Sequence, residues 1–244
     1  MKIVLEKLSK EINKNIILNN IDVTLEGGKI YGLMGRNGSG KSVLINIICG
    51  FMKQTKGNVN FIDCSKNNIG IVLDSITFLD DLTGFENLKL LAKIKNKIDD
   101  DKIQEILNLM GLNNNKTYKE YSLGMKQKLA IAQAIMEDQN IILLDEGFNA
   151  LDSDSIKKMK EVLLNLKNEN RIILLSSHVM DDFKNLVDEI YLLKDGKLEK
   201  SWKWFFFIWQ IISRNIHFKV KIYYLTYNFI HIKIDLGEIL FYYI

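Results

Sequence analysis

A short apolar segment that leads through a glycine-rich loop into a helix-like segment constrains this chain more than any other feature. Lys29–Met34 has the apolar character of a buried strand, and Ser42–Ile48 has helical character. The loop between them completes the pattern G-x-x-x-x-G-K-[ST] at every position. The residues of the pattern are Gly35, Arg36, Asn37, Gly38, Ser39, Gly40, Lys41 and Ser42. The order strand, loop, helix is the context in which this pattern binds phosphate.

The loop predicts a site for a nucleoside triphosphate. Glycines let the backbone wrap closely, so that consecutive N–H groups and the helix N-terminus can face a phosphate. Lys41 would neutralise the β- and γ-phosphate oxygens, and the Ser42 hydroxyl would hold Mg²⁺. The alternative is a glycine-rich turn that matches by chance. A chance match would have to agree with the pattern at every position and also lie between a strand and a helix. The phosphate site is therefore the better interpretation.

Two adjacent acids follow a second apolar segment. Ile141–Leu144 reads as a buried strand, and Asp145 and Glu146 come directly after it. They could belong to a strand that merely enters a polar turn. Beside a phosphate loop, the better interpretation is that Asp145 binds the Mg²⁺ shell and Glu146 polarises the attacking water. Because successive strand residues point in opposite directions, the pair would divide into a metal ligand and a base.

The hydrophobic pattern predicts an α/β fold. The apolar segments Ile141–Leu144 and Ile172–Leu175 are separated by a helix-like stretch, as in a parallel sheet covered on both faces. The start of the chain reads as strands, and residues 82–137 read as helices. We therefore expect a P-loop NTPase core with a parallel sheet, an N-terminal antiparallel β part and an inserted α-helical subdomain.

The chain resembles the ATP-binding subunits of ABC transporters, and the segment Tyr121–Gln127 carries much of the resemblance. It precedes the acid pair, where that family has its signature motif. The commonest form has two glycines after the serine. Here, in the segment Ser122–Gly124 and the residue after it, Leu123 and Met125 make the motif a variant seen among peptide-antibiotic and multidrug exporter subunits. On its own, Ser122 reads as the N-cap of a helix beginning near Met125, with free N–H groups that could meet a γ-phosphate.

Two more segments resemble the family in its own order. Phe148–Asp152 is similar to the loop that contacts the opposite subunit, although Gly147 stands where proline is usual. Ser176–His178 is similar to the segment whose switch histidine bonds the γ-phosphate. The resemblance therefore assigns that role to His178, and the other two histidines lie in the tail.

Two positions depart from the family pattern. Asp74 lies in the coupling loop, where glutamine is usual and glutamate occurs. Its shorter side chain would reach Mg²⁺ through water. Ile12 replaces the aromatic residue that commonly stacks on adenine, which weakens base stacking and puts purine selectivity in question.

The resemblance implies a cytoplasmic subunit, peripheral on the inner face of the cell membrane, that binds ATP and Mg²⁺ and hydrolyses ATP. It would energise export of a peptide antibiotic, a drug or a similar substrate through a separate integral-membrane permease. Two copies would pack head to tail, with each ATP between Lys41 of one copy and Ser122–Gly124 of the other. The permease would dock near Asp74–Phe85. Two cysteines in 244 residues also argue against a disulfide framework, as expected inside a cell.

Two other functions were weighed. A soluble ABC-type ATPase acting on DNA or ribosomes is disfavoured because residues 1–200 carry 28 basic and 28 acidic residues. No nucleic-acid partner is therefore expected. A nucleotide-gated binding module that scarcely hydrolyses ATP would accommodate Ile12 and Asp74, but Glu146 and His178 argue against it.

The resemblance covers residues 1–200, which we assign to the ATP-binding domain, with the helical subdomain at about 82–137. Residues 201–244 contain 14 of the 24 aromatic residues and all three tryptophans. Their apolar stretch Trp202–Ile212 is shorter than the roughly 20 residues that a spanning helix needs. Either this tail is a membrane-facing appendage, or it is the product of a shifted reading frame in AT-rich coding sequence.

Overall fold

The computed structural model describes residues 1–73, 76–95, 98–112, 115–168 and 170–201, with residue 95 by its backbone only. It also describes the backbone of residues 220–226 and 229–234. The chain divides into one unit from Met1 to Lys200 and a second from Ser201 to Ile244. Asp74, which was predicted to reach Mg²⁺ through water, lies outside the described residues, as does Trp202–Ile212.

Residues 1–201 contain strands β1 to β9 and helices α1 to α5. The strands are β1 (Lys2–Ile12), β2 (Asn15–Glu26), β3 (Lys29–Met34), β4 (Lys56–Ile62), β5 (Ile69–Val72), β6 (Ile141–Leu144), β7 (Ile172–Ser177), β8 (Glu189–Lys194) and β9 (Lys197–Ser201). The helices are α1 (Lys41–Cys49), α2 (Gly84–Lys95), α3 (Asp100–Met110), α4 (Leu123–Ile135) and α5 (Ser153–Leu166).

The central sheet brings the functional segments to one edge. Its strand order is β5-β6-β7-β3-β8-β9. β7 runs parallel to both β3 and β6, with Met34 opposite Ser177 and Leu144 opposite Leu175. Every residue of β6 and β7 is buried, because the sheet is covered on both faces. The carboxyl ends of β3, β6 and β7, where the glycine-rich loop, the two acids and the histidine begin, therefore lie side by side.

A smaller antiparallel sheet has the strand order β2-β1-β4. One core cluster joins it to the central sheet through α1. The cluster includes Leu8 and Leu18 of the hairpin formed by β1 and β2, Leu44 and Ile48 of α1, and Leu143 of β6. The hairpin therefore packs against the glycine-rich loop and its helix. The two sheets confirm the predicted α/β fold with an antiparallel N-terminal part.

The segment between β5 and β6 contains α2, α3 and α4. α3 begins after the N-cap Asp99 and ends at Gly111, whose φ of 68° is in the left-handed region. α4 packs so closely on β5 that a Cβ added to Gly70 would lie 1.7 Å from the Ala134 carbonyl oxygen. None of the helices in the described part of the chain has the length and apolar character needed to cross a membrane.

The second unit contains an antiparallel strand pair, β10 (Val220–Thr226) and β11 (Phe229–Ile234). β10 overlaps the segment His217–Tyr224, whose alternating pattern predicts a strand.

Candidate functional site

The glycine-rich loop connects the end of β3 to the start of α1. Gly38 and Gly40 have φ angles of 78° and 104°, a backbone region that side chains with a Cβ rarely adopt. Gly40 is the N-cap of α1, and no side chain caps the helix there. The first N–H groups of α1 are thus left for an anionic ligand, as the motif predicts.

Lys41, the first residue of α1, is held at the base of this loop. Its side chain is 5% exposed, and its Nζ donates to the Gly35 carbonyl oxygen at 2.9 Å. The same Nζ lies 3.0 Å from Glu146 Oε1. A nearly buried ammonium group therefore has a carboxylate partner, as burial of a charge requires.

The two acids are separated by backbone conformation. β6 ends at Leu144, so the strand alternation used to predict their opposite directions does not extend to Asp145 and Glu146. Instead, Glu146 has a left-handed φ of 50°. Its carboxylate reaches Lys41, whereas that of Asp145, 3% exposed, is buried against β7. The prediction of two roles stays a prediction, but the reason given for the division was wrong.

One buried hydroxyl joins the two acids. Ser176 Oγ donates to Asp145 Oδ1 at 2.5 Å and accepts from the Glu146 N–H at 2.9 Å. Sequence reasoning placed Ser176 only in the segment that leads to the histidine and gave it no role of its own. The signal in the sequence was a polar residue at the end of a buried parallel strand, but the residue that it meets depends on the strand order, which the sequence does not show locally.

His178 follows β7 and faces Glu146. Its Nδ1 lies 2.9 Å from Glu146 Oε2, and its side chain is 41% exposed. Glu146 thus contacts Lys41 with one oxygen and His178 with the other, while its own side chain is only 15% exposed. The structure brings together the lysine, the acids and the histidine that the sequence singled out.

These groups line a pocket of about 440 Å³. Its polar side belongs to the glycine-rich loop, α1 and the edge of the central sheet, and its apolar side includes Ile12 and Ile17 of the β1–β2 hairpin. The lining residues are Ile12, Ile17, Asn37, Gly38, Gly40, Lys41, Ser42, Val43, Asp145, Glu146, Asn149 and His178. The arrangement places a cation and free helix N–H groups next to a carboxylate and a histidine, which suits an anionic phosphate chain beside an apolar base.

The lining also suits Mg²⁺. Ser42 is exposed and Asp145 lies on the same pocket, so a hydroxyl and a carboxylate oxygen are available together. Mg²⁺ is usually held by one or two such oxygens, with the rest of its shell from substrate phosphates and water.

Three loop residues do not line the pocket. Gly35 and Arg36 present their carbonyl oxygens to Lys41 Nζ, at 2.9 and 3.4 Å. Ser39 has a buried hydroxyl close to Gly35, where an added Cβ would lie 2.4 Å from Ser39 Oγ. These three residues contact other parts of the loop and the Lys41 side chain, and they do not line the pocket.

The segment Ser122–Gly124 is also absent from the pocket lining. Ser122 is the N-cap of α4 and accepts from the Met125 N–H at 3.2 Å. The helix begins at Leu123, two residues before the predicted start. Leu123 is 73% exposed, and Gly124 lies so close to the Ala150 carbonyl oxygen that an added Cβ would come within 2.9 Å of it. Within one chain this motif therefore contributes no residue to the lining of the phosphate loop's pocket.

α4 is nevertheless linked to the segment that follows Glu146. Gln127 Nε2 donates to the Gly147 carbonyl oxygen at 2.9 Å, one residue after Glu146. Phe148 is buried beyond it, and Asp152 caps α5 by accepting from the Ser155 N–H at 2.8 Å. The segment from Gly147 to Asp152 is thus anchored at its start, middle and end.

Comparisons with known proteins find a matching family model and relatives that are similar to most of this chain. A family model described as ABC transporter matches residues 18–149. The uncharacterized ABC transporter ATP-binding protein YybJ of Bacillus subtilis (strain 168) is 38% identical over 205 residues, which cover 80% of this chain and 94% of that protein. The lantibiotic transport ATP-binding protein SrtF of Streptococcus pyogenes is 32% identical over 207 residues, 81% of this chain and 90% of the relative.

A solved structure is similar in fold. It is a dimeric ATP-binding cassette in a post-hydrolysis state, bound to ADP and Pi. The TM-score is 0.73 at 26% sequence identity, and the match covers 82% of this chain and 97% of that chain.

Proposed function

This chain belongs to the ABC transporter family of ATP-binding proteins, and from that premise we propose that it hydrolyses ATP to drive export of a peptide antibiotic or a similar compound through a separate permease. The observation that carries the proposal is the contact of Glu146 with both Lys41 and His178, at 3.0 and 2.9 Å, beside a phosphate-binding loop. The lantibiotic transport relative supports the substrate class.

The loop and α1 bind the triphosphate. The N–H groups at the start of α1 face the phosphates, and Lys41 neutralises their charge. Mg²⁺, held by Ser42 and Asp145, would supply further neutralisation of charge when bound. Because Lys41 Nζ lies 3.0 Å from Glu146 Oε1, a phosphate chain that binds Lys41 competes with Glu146 for the ammonium group and leaves Glu146 Oε1 available to a water molecule.

Glu146 acts as the general base. Its carboxylate is mostly buried and lies on the pocket, where it can accept a proton from the attacking water. His178 orients this carboxylate through Nδ1. Both ring nitrogens donate only in the imidazolium form, so contact with Glu146 and a phosphate oxygen together requires a protonated ring or a rearranged hydrogen bond.

A second copy completes the site. Ser122–Gly124 do not line the pocket of their own chain, and Leu123 exposes an apolar side chain at the start of α4. We infer a head-to-tail pair in which the N-terminus of α4 of one copy approaches the triphosphate of the other. Closure of the pair on ATP would then move a permease docked near residues 74–85 at the inner face of the membrane.

Phosphate release by the purified full chain with Mg-ATP tests the activity. The wild type should hydrolyse ATP, and Glu146→Gln should lower kcat by about 10² or more, the usual contribution of a general base. The matched control is Glu161→Gln, which changes an exposed glutamate of α5 and should leave kcat unchanged. Equal, measurable rates for the wild type and Glu146→Gln would remove Glu146 from the role of base. A wild type without measurable hydrolysis would favour a nucleotide-gated binding module.

The substrate class is tested in cells that lack the gene. Complementation with the wild type should raise the lantibiotic concentration that inhibits growth, and complementation with Glu146→Gln should not. If neither changes resistance while ATP hydrolysis is intact, the substrate belongs to another class.

A further inference from the structure

The turn that carries His178 is held by hydrogen bonds that involve a side chain outside the pocket. β7 ends at Ser177, which is 2% exposed. Its hydroxyl accepts from the Val179 N–H at 2.9 Å and donates to a carboxylate oxygen of Asp182. The hydroxyl therefore spans the turn, and Asp182 determines the direction in which it donates.

Asp182 is itself held in place by its neighbours. Lys160, on α5, donates from Nζ to the carbonyl oxygens of Asp181 and Lys184, at 2.6 and 3.1 Å. Phe183 is 2% exposed, and its ring packs against Gly32 of β3, where an added Cβ would lie 3.0 Å away. The segment after the histidine is thus tied to α5 on one side and to the central sheet on the other.

We propose that Asp182 is a positioning residue for hydrolysis: through the Ser177 hydroxyl it fixes the turn that aims His178 at Glu146. This inference rests on the proposed function. Asp182 does not line the pocket, so it acts through His178 and not on the phosphates. The sequence assigned it no role.

The surroundings of Asp182 raise its pKa on balance. Burial raises the pKa of Asp182, and the nearby Glu146 raises it further, whereas the Ser177 hydroxyl, Lys160 and His178 lower it. The hydroxyl is therefore a partner that helps to keep a partly buried carboxylate ionised next to another carboxylate.

The position of His178 depends on few contacts. Its ring is 41% exposed, and among the described residues Glu146 is the hydrogen-bond partner shown for it. Loss of the Ser177–Asp182 hydrogen bond would remove one of the interactions that hold the turn in place. Displacement of a catalytic group by about 1 Å can cost up to about 10²-fold in rate.

A double-mutant cycle on the full chain tests the proposal. Asp182→Ala should lower kcat for Mg-ATP about tenfold, corresponding to one lost hydrogen bond, and should change KM less than about twofold. In the His178→Ala background the same substitution should lower kcat no further, because the side chain being positioned is gone. Asp182→Asn, which keeps an oxygen acceptor for Ser177, should retain most of the wild-type kcat.

The matched control is Asp181→Ala, which changes an exposed side chain and keeps the backbone carbonyl that Lys160 contacts. Should Asp182→Ala fail to fold, Ser177→Ala removes the same hydrogen bond and enters the same cycle. An equal fall in kcat in both backgrounds, no fall in either, or full activity of His178→Ala would overturn the proposal. A wild-type chain that does not hydrolyse ATP would instead overturn the proposed function, and this inference with it.

Discussion

Ser176 donates a hydrogen bond to Asp145 across 2.5 Å, from the end of β7 to the first residue after β6. The same oxygen accepts from the Glu146 N–H at 2.9 Å, so one hydroxyl holds the candidate Mg²⁺ ligand and the backbone of the candidate base. Ser176 is fully buried, and no solvent can replace it. The relative position of the two acids is therefore set by a neighbouring strand.

Ser176→Ala should reduce both stability and activity. It leaves the Glu146 N–H and one Asp145 oxygen without this partner, which costs about 1–3 kcal/mol of unfolding free energy. We also expect kcat to fall at least tenfold, since both acids lose their alignment. Urea unfolding and phosphate release measure the two effects. Ser153→Ala, at an exposed position of α5, is the control and should change stability by less than about 0.5 kcal/mol.

The candidate site could be predicted from sequence only in part. The loop and the acids were found because their chemistry is local: a glycine pattern between a strand and a helix, and carboxylates after an apolar strand. His178 needed the family resemblance, because a histidine at a strand end has many uses. Ser176 was missed because its role depends on which strand lies beside β7, which no local pattern shows. Asp182 was missed because its contact with Ser177 depends on the conformation of the turn between them.

Glu146→Gln should also tighten ATP binding. Lys41 is paired with the Glu146 carboxylate at 3.0 Å, and a phosphate chain must replace that contact. The neutral amide releases Lys41 and removes a negative charge next to the γ-phosphate. We expect Kd to fall by about 3- to 10-fold, or about 1 kcal/mol. Calorimetry with Mg²⁺ and a non-hydrolysable ATP analogue separates binding from turnover.

Glu161→Gln, at an exposed site, should bind the analogue as the wild type does. If Glu146→Gln binds it more weakly than the wild type, the carboxylate helps to bind the nucleotide and does not compete with it.

Ile12→Tyr should strengthen nucleotide binding. Ile12 and Ile17 give the pocket an apolar side from the β1–β2 hairpin. An aromatic ring there would stack on the base, and such stacking contributes about 1–3 kcal/mol. In the Glu146→Gln background, calorimetry should show at least a 5-fold lower Kd for ATP. Ile16→Tyr is the control, because Ile16 belongs to the same hairpin but is 63% exposed and does not line the pocket. Equal gains from both variants would place the base elsewhere.

The fold could be predicted from the sequence in more detail than the close contacts between its elements. The alternation of apolar strands with helices predicted the parallel sheet, because strands as apolar as β6 and β7 are typical of a sheet covered on both faces. Ser122 was correctly predicted as the N-cap of α4, because a serine that precedes a helical apolar pattern is a local signal. Gly70 was not singled out, because a glycine in a short strand reads the same whether or not a helix lies against it.

Gly70→Ala should destabilise the packing of α4 on β5. The added Cβ would lie 1.7 Å from the Ala134 carbonyl oxygen, so the helix has to move. We expect a loss of roughly 3 kcal/mol in unfolding free energy, the upper end for overpacking. Gly111→Ala is the comparison: its φ of 68° gives strain of about 1 kcal/mol, but no atom lies within 4 Å of the added Cβ. Thermal unfolding in which Gly111→Ala is the more damaging would contradict the observed contact.

Glu189 should make the stability of the chain depend on acid pH. Burial raises the pKa of this carboxyl group, but hydrogen bonds and charges from Lys200 and Lys29, both at 2.8 Å, outweigh burial and lower the pKa to about 2. Between pH 4.5 and about 2 the unfolded chain binds the proton more readily than the folded one. The stabilisation is therefore complete above pH 4.5 and is lost as the pH falls through the folded pKa.

Glu189→Gln removes that dependence. We expect the wild type to lose about 1–2 kcal/mol from this group between pH 5 and pH 2, because the partly exposed lysines weaken the pair. The variant should show a correspondingly flatter profile in circular-dichroism unfolding. Glu199→Gln, at an exposed position of β9, should keep the wild-type slope. If Glu189→Gln and Glu199→Gln give the same pH profile, the lysines do not hold Glu189 in its ionised form, and the acid sensitivity of the fold arises from other carboxylates.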